Sequence, residues 1–405
     1  MSTTVQDPLG SESASLGGWF SGLRRRVRQG DVGSLPVIAG LVLIWVIFGF
    51  LNPNFLSPRN LTNLMLQIAG VGTISVGIVL VLLLGEIDLS VGAVSGVCAA
   101  VLAVLNVKRG IPAPLAIVIA VAVGTVIGAF QGFWFARFRI PSFVVTLAGL
   151  LAWQGALLLV LGNTGTINLL NPTIDALTGT FLPTLAGWLL AIVALAFYTA
   201  TGLLNRRSRR AAGLDLPPMQ TFAARIAVVT ALVAVAVLVL NSDRGVPLAL
   251  LILLGFVVFF DYIVRRTRFG RYVLAVGGNA EAARRAGISV NGIRIAVFAL
   301  AGTLAACGGI LLASRLLAVN QSSGGSDLLL NTIAAAVIGG TSLFGGRGSV
   351  WSALTGSLVI VSISNGMDLL ALSSAIKFLI TGGVLLAAVT IDAVARQGRQ
   401  TAGRA

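Results

Sequence analysis

Residues 68–94 read IAGVGTISVGIVLVLLLGEIDLSVGAV: an apolar run up to Leu84, then two carboxylates, then a second apolar run. A bilayer core of roughly 30 Å needs about 20 apolar residues per helix, so the first run has the length of a membrane span. An acidic residue at mid-bilayer costs roughly 2.5–3.5 kcal/mol on insertion scales. Glu86 and Asp88 therefore demand a boundary position, a partner or a wet cavity. Gly85 can break the first helix, and Asp88 or Ser90 is expected to cap the next, where a carboxylate meets the favourable end of the helix dipole. The stretch reads either as a capped turn between spans or as part of a transport path, which makes Glu86, Asp88 and Ser90 candidate pathway residues.

The rest of the chain repeats this texture. Of 405 residues, 57% are hydrophobic and 10% charged, with a mean hydropathy of +0.98, whereas soluble domains carry about 25% charged residues. Spans are expected near 35–51, 61–84, 91–107, 113–135, 143–161, 181–204, 221–240, 246–264, 295–315, 328–346, 349–366 and 374–392. The runs are continuously apolar rather than alternating, so helices are expected and not a barrel. The fold class is all-α: one polytopic helical membrane domain over 35–395 with about 12 crossings, an N-terminal tail 1–34 and a C-terminal tail 396–405.

Charge orients the bundle. With the N-terminus inside and twelve alternating crossings, the inner side receives 22 arginines, among them Arg24, Arg137, Arg206, Arg265, Arg284, Arg294 and Arg347. The outer side receives 5 basic residues: Arg59, Lys108, Arg109, Arg244 and Arg315. One missed crossing would swap every later loop, so this bias supports the register and places both termini in the cytoplasm. The loop at 162–180 has no Lys or Arg and falls outside. Two inner segments stand out: a basic linker at 205–220 and a long loop at 265–294.

Several functions are excluded. The formal charge of +15 comes in bursts between apolar runs, which is topogenic and not a nucleic-acid face. There is no His, and Cys98 and Cys307 stand far apart in greasy segments, so metal or disulfide frameworks lack ligands. A phosphate loop needs G-x-x-x-x-G-K-[ST], but Gly340 and Gly345 are followed by Gly346 and Arg347, so no ATP site is legible.

Isolated polar residues in the spans serve either as helix glue or as hydrogen-bonding groups along a path. Gln67, Gln154, Asn163, Asn331, Thr332 and Asn365 are the candidates. Gly92 and Gly96, and Gly124, Gly128 and Gly132, lie four apart and predict close helix packing. In the loop at 265–294, Asn279 is expected to cap a short helix over Glu281 to Ala286, ended by Gly287. So short a helix is unstable alone and needs a docking surface.

VGGNAEAARRAGI, LAGTLAACGGILLASRL, IAAAVIGGTSLFGGRGSV and GEIDLSVGAV together resemble the permease subunits of bacterial ribose, xylose and related sugar ABC importers, over most of residues 60–395. Glu86 replaces a glycine usual in that family. The extra apolar pair between 205 and 264 resembles the longer, xylose-type branch. The resemblance implies an inner-membrane permease that works as a pair of membrane subunits with two cytoplasmic ATPase subunits and an external sugar-binding protein; the lack of an obvious second permease half points to a homodimer. It implies that this chain binds no cofactor, that ATP is hydrolysed by the partner, and that Asn279, Glu281, Ala282, Ala283, Arg284, Arg285, Ala286 and Gly287 form the coupling element. The rival reading is an ion-coupled carrier titrating Glu86 and Asp88 at mid-membrane.

Overall fold

The computed structural model describes residues 35–214, 216 and 218–401; the expected tail 1–34 and residues 402–405 of the expected tail 396–405 lie outside the described residues, and 396–401 continue the last helix. The chain is an all-α polytopic membrane protein. Its helices are α1 (Leu35–Leu51), α2 (Pro58–Leu83), α3 (Val91–Ala103, prolonged by a π-turn Val104–Lys108), α4 (Ala113–Phe138), α5 (Ser142–Leu161) and α6 (Pro172–Gly179). There follow α7 (Thr184–Ala211), α8 (Met219–Asn241), α9 (Leu248–Arg266), α10 (Arg268–Gly278) and α11 (Ala280–Arg285). The last are α12 (Val290–Leu316), α13 (Ser326–Ile338), α14 (Trp351–Leu369) and α15 (Ser374–Thr401).

Among the described residues, eight helices are long and apolar enough to cross a membrane: α2, α3 with its π-turn, α4, α5, α7, α8, α9 and α12. Outward side chains such as Phe50 (88% exposed) and Leu159 (84%) suit hydrocarbon rather than water. Proline stands at the N-cap of α4, α5, α7, α8 and α9, where its missing N–H costs no intrahelical bond.

The core is built on α2 and α12, which pack directly on each other, with α3 and α4 against α12 and with α9, α13 and α14 against α2. The small-residue ladder works as expected. Gly124, Gly128 and Gly132 of α4 lie on Gly302, Phe298 and Ile295 of α12, and a Cβ at Gly124 would stand 2.8 Å from that of Ala306. Such contact lets dispersion replace the hydrophobic drive that lipid does not supply. The peripheral hairpin α7–α8 is mostly exposed, with Arg206 over the Phe222 ring at 5.2 Å.

Helix ends sort into two groups. In one, Asn52 Nδ2 donates to Leu369 O (3.0 Å) and Lys108 Nζ to Thr164 Oγ1 (2.8 Å). The same group holds β1 (Thr166–Asn168) and β2 (Phe181–Leu182), paired antiparallel with β4 (Ala318–Asn320) and β3 (Val246–Pro247). In the other group, Gly346 N donates to Leu83 O (3.0 Å), Ile87 N to Ser142 Oγ (3.2 Å) and Arg265 Nη2 to Ser349 Oγ (3.0 Å). The second group is the arginine-rich one.

The structure corrects four expectations. The run 328–346 is not one helix: α13 stops at Ile338 and Gly339–Val350 folds back as a loop. The run 181–204 begins as strand β2, and its helix continues to Ala211. The arginines of the linker at 205–220 are therefore mostly the last turns of α7, because arginine is a good helix former once the helix has left lipid. The "loop" 265–294 is largely helical, as α10 and α11. Finally, the segment 162–180, expected as an outer loop, contains α6, capped by Asn171.

Candidate functional site

Three stretches separated in sequence meet at the arginine-rich end. The turn after α2, the end of α10 and the loop after α13 touch through backbone. Gly277 has no room for a side chain: a Cβ there would overlap the Leu83 carbonyl oxygen and stand 2.8 Å from Gly346 N. Gly345, at φ +81, would bring a Cβ to 2.6 Å from Gly277 O and 2.8 Å from the Gly85 Cα. Glycine is required at both positions, for approach at the first and for approach and backbone at the second.

On this knot stands α11. Asn279 caps it, its Oδ1 accepting from Ala282 N at 2.9 Å. Ala283 is buried and anchors the helix, while Ala286 is its C-cap and Gly287 (φ +82) turns the chain away. Glu281 faces outward with Arg284 (2.9 Å) and Arg285 (3.3 Å). All three are more than half exposed, so these pairs contribute little to stability. They leave a charged surface free to meet a partner.

The turn itself is locked against α4, α5 and α12. Glu86 Oε1 accepts from Arg294 Nη2 at 2.8 Å, and the Arg294 guanidinium lies 5.4 Å from the Phe135 ring centre. This pair lines a cavity of about 520 Å³ with Arg139, Ser142, Arg284 and Asn291. Leu89 N donates to Thr146 Oγ1 (3.1 Å). Asp88, 4% exposed, accepts from Ser90 N (2.8 Å) and Ser90 Oγ (2.7 Å). Burial pushes the Asp88 carboxyl up, and the two bonds from Ser90 pull it down. Ser90 occupies the N-cap of α3 but makes no side-chain cap bond. The expected cap is thus replaced by an Asp88 turn holding the cap residue's own N–H.

The Ser90 hydroxyl, with one proton, lies between two acceptors, Asp88 Oδ1 and Gln131 Oε1 (3.0 Å). Gln131 Nε2 and Trp153 Nε1 are buried without partners, and both crowd the point where a Cβ of Gly149 would be. Turning the Gln131 amide over lets Nε2 donate to Ser90, whose hydroxyl then serves one acceptor and one donor.

The charge balance makes a prediction. Without Glu86, Arg294 faces Arg139 and Arg284 uncompensated; without Arg294, Glu86 keeps those two as neighbours. Glu86→Gln is expected to cost about 2 kcal/mol of stability and Arg294→Gln about 1 kcal/mol, read as the order of their melting temperatures in detergent.

Of the other polar candidates, Gln67 and Asn365 meet in one cavity and the rest disperse. Asn365 forms a reciprocal amide pair with Asn60 (2.7 and 3.1 Å), joining α14 to α2. Thr332 is buried, donates to Leu329 O (2.9 Å), and its carbonyl accepts from Ser75 Oγ (3.1 Å). Both act as helix glue. Gln154 is exposed on α5, Asn163 is exposed in the loop after α5, and Asn331 is partly buried. Gln67 lines a second cavity of about 370 Å³ at the opposite end. Reading the sequence missed Arg294, Ser142, Thr146 and Gln131. Gln131 had one signal, a lone amide within a glycine ladder.

Residues 60–389 match the family described as branched-chain amino acid transport system / permease component. The chain belongs to this permease family. The permease is 37% identical over 381 residues to the xylose transport system permease protein XylH of Escherichia coli (strain K12), covering 94% of this chain and 95% of that one. XylH of Haemophilus influenzae is 37% identical over 363 residues, 89% of this chain and 96% of its own. The ribose import permease protein RbsC of Bacillus subtilis is 32% identical over 365 residues, 90% and 94% respectively. No solved structure matches the permease.

Proposed function

We infer that this chain is the membrane-spanning subunit of an ATP-driven importer of the bacterial inner membrane, and that its substrate is a sugar, foremost a pentose such as xylose. The xylose and ribose permeases named above support the substrate class over the amino acids in the family's description. The observation that carries the mechanism is the knot of Gly85, Gly277 and Gly345 beneath α11. A partner ATPase gripping Glu281, Arg284 and Arg285 would move α11, and the knot would pass that motion to the ends of α2 and α13. ATP-driven closure of two ATPases then biases the permease between outward- and inward-open states. Twelve crossings, both termini inside and a homodimer are the arrangement this reading adopts.

The carrier alternative is weaker. Glu86 is paired with Arg294, and Asp88 accepts from Ser90, so both carboxylates are spent on holding the turn between α2 and α3. The test is co-purification of the tagged permease with a candidate ATPase, then hydrolysis assays with binding proteins loaded with pentoses, hexoses or branched-chain amino acids. The ATPase is expected to co-elute and to respond to pentose. A response to amino acids alone would overturn the substrate class, and no co-elution the coupling.

A further inference from the structure

The two cavities differ in charge, and the difference points to a ligand. In the arginine-rich end's cavity Arg284 is held by Glu281 and Arg294 by Glu86, which leaves Arg139 as a net positive charge in its lining and offers a neutral molecule little. The opposite cavity, about 370 Å³, lies within the ~300–1,000 Å³ range of small-ligand pockets. Its charges balance: Arg244 is held by Asp243 (3.1 Å), leaving Asp175 on α6 and Arg315 at the end of α12 as one of each sign.

Its polar groups divide into used and unused. Thr178 and Ser314 bond each other at 2.8 Å, and Asn63 Oδ1 accepts from Arg244 Nη2 at 3.0 Å. Among the described residues, the Gln67 amide, the Asp175 carboxylate and the Arg315 guanidinium line the same cavity without a hydrogen-bond partner. A carboxylate accepts from hydroxyls, a guanidinium donates to them, and an amide does both. Charge-neutral as a set and complementary to vicinal hydroxyls, they match an uncharged polyol.

We propose that this cavity is a sugar subsite, in which Gln67, Asp175 and Arg315 receive a pentose at the outer mouth of the path. The proposal rests on the sugar-import reading. Asn60 and Asn365, bonded to each other in the cavity wall, join α2 to α14 two turns from Gln67 on the same face of α2. The strand pairs β1–β4 and β2–β3 anchor the segment carrying α6 and Asp175.

The test uses the full permease in liposomes with its ATPase and binding protein, and radiolabelled xylose as probe. Asp175→Asn keeps shape and Asp175 is exposed, so folding is not at risk. Asp175→Asn and Gln67→Ala are each expected to lower uptake about tenfold at subsaturating sugar, with sugar-free hydrolysis by the complex unchanged. Gln154→Ala, on an exposed surface of α5, should leave uptake intact. In a Gln67→Cys variant, millimolar xylose should slow labelling by an impermeant thiol reagent. Wild-type uptake in both variants, or labelling indifferent to xylose, overturns the subsite while leaving sugar import standing. A wild-type complex that imports no pentose overturns the import reading itself.

Discussion

Alanine at both Glu281 and Arg284 is expected to reduce ATP-driven uptake at least ~30-fold, matching the ~2 kcal/mol lower bound for truncating a bonded charge at an interface. The melting temperature should stay within a degree or two of wild type. The two outcomes separate because the pair is exposed on both sides, where an ion pair contributes at most ~1 kcal/mol to folding. Ala283 and the Asn279 cap, which hold α11 in place, remain. Uptake and hydrolysis measured on the same preparation give the reading: hydrolysis persisting while uptake falls is the signature of lost coupling. Wild-type uptake would remove α11 from the mechanism.

The second large effect is structural. Gly277→Val is expected to yield no folded permease, because the new side chain would collide with the Leu83 carbonyl and with the backbone at Gly346. Backbone cannot step aside as a side-chain tip can, and forced overpacking in a tight core costs ~1–3 kcal/mol even where side chains give way. Here the Gly346 N to Leu83 O bond (3.0 Å) would break as well, taking the total beyond ~4 kcal/mol. Gly278, next along the chain, has nothing within 4 Å of its Cβ position, so Gly278→Ala should be tolerated. Fluorescence-detected size-exclusion chromatography distinguishes the two.

The expected spans were legible where an apolar run ends at a charge or a proline. The run 35–51 coincides with α1, and 61–84 falls almost entirely within α2 (Pro58–Leu83). The short helix from Asn279 to Gly287 was legible because an Asn cap and a left-handed glycine are local signals. The break at Ile338 was not. Residues 328–346 pass every hydropathy test, and only the contacts of Gly345 and Gly346 with Gly85 and Gly277 reveal why the chain leaves the helix there. The polar candidates were misjudged for a similar reason. Asn365 and Gln67 look alike in sequence and line the same cavity, but Asn365 spends its amide on Asn60 while the Gln67 amide is left open. Which of the two a polar residue does depends on a partner hundreds of positions away.

Reconstitution of the permease in liposomes, with and without a partner ATPase, tests the central claim most directly. Xylose uptake is predicted only when the ATPase, enclosed ATP and an external binding protein are all present, and it should survive collapse of every ion gradient. Accumulation of sugar by the permease alone under a proton or sodium gradient would contradict it.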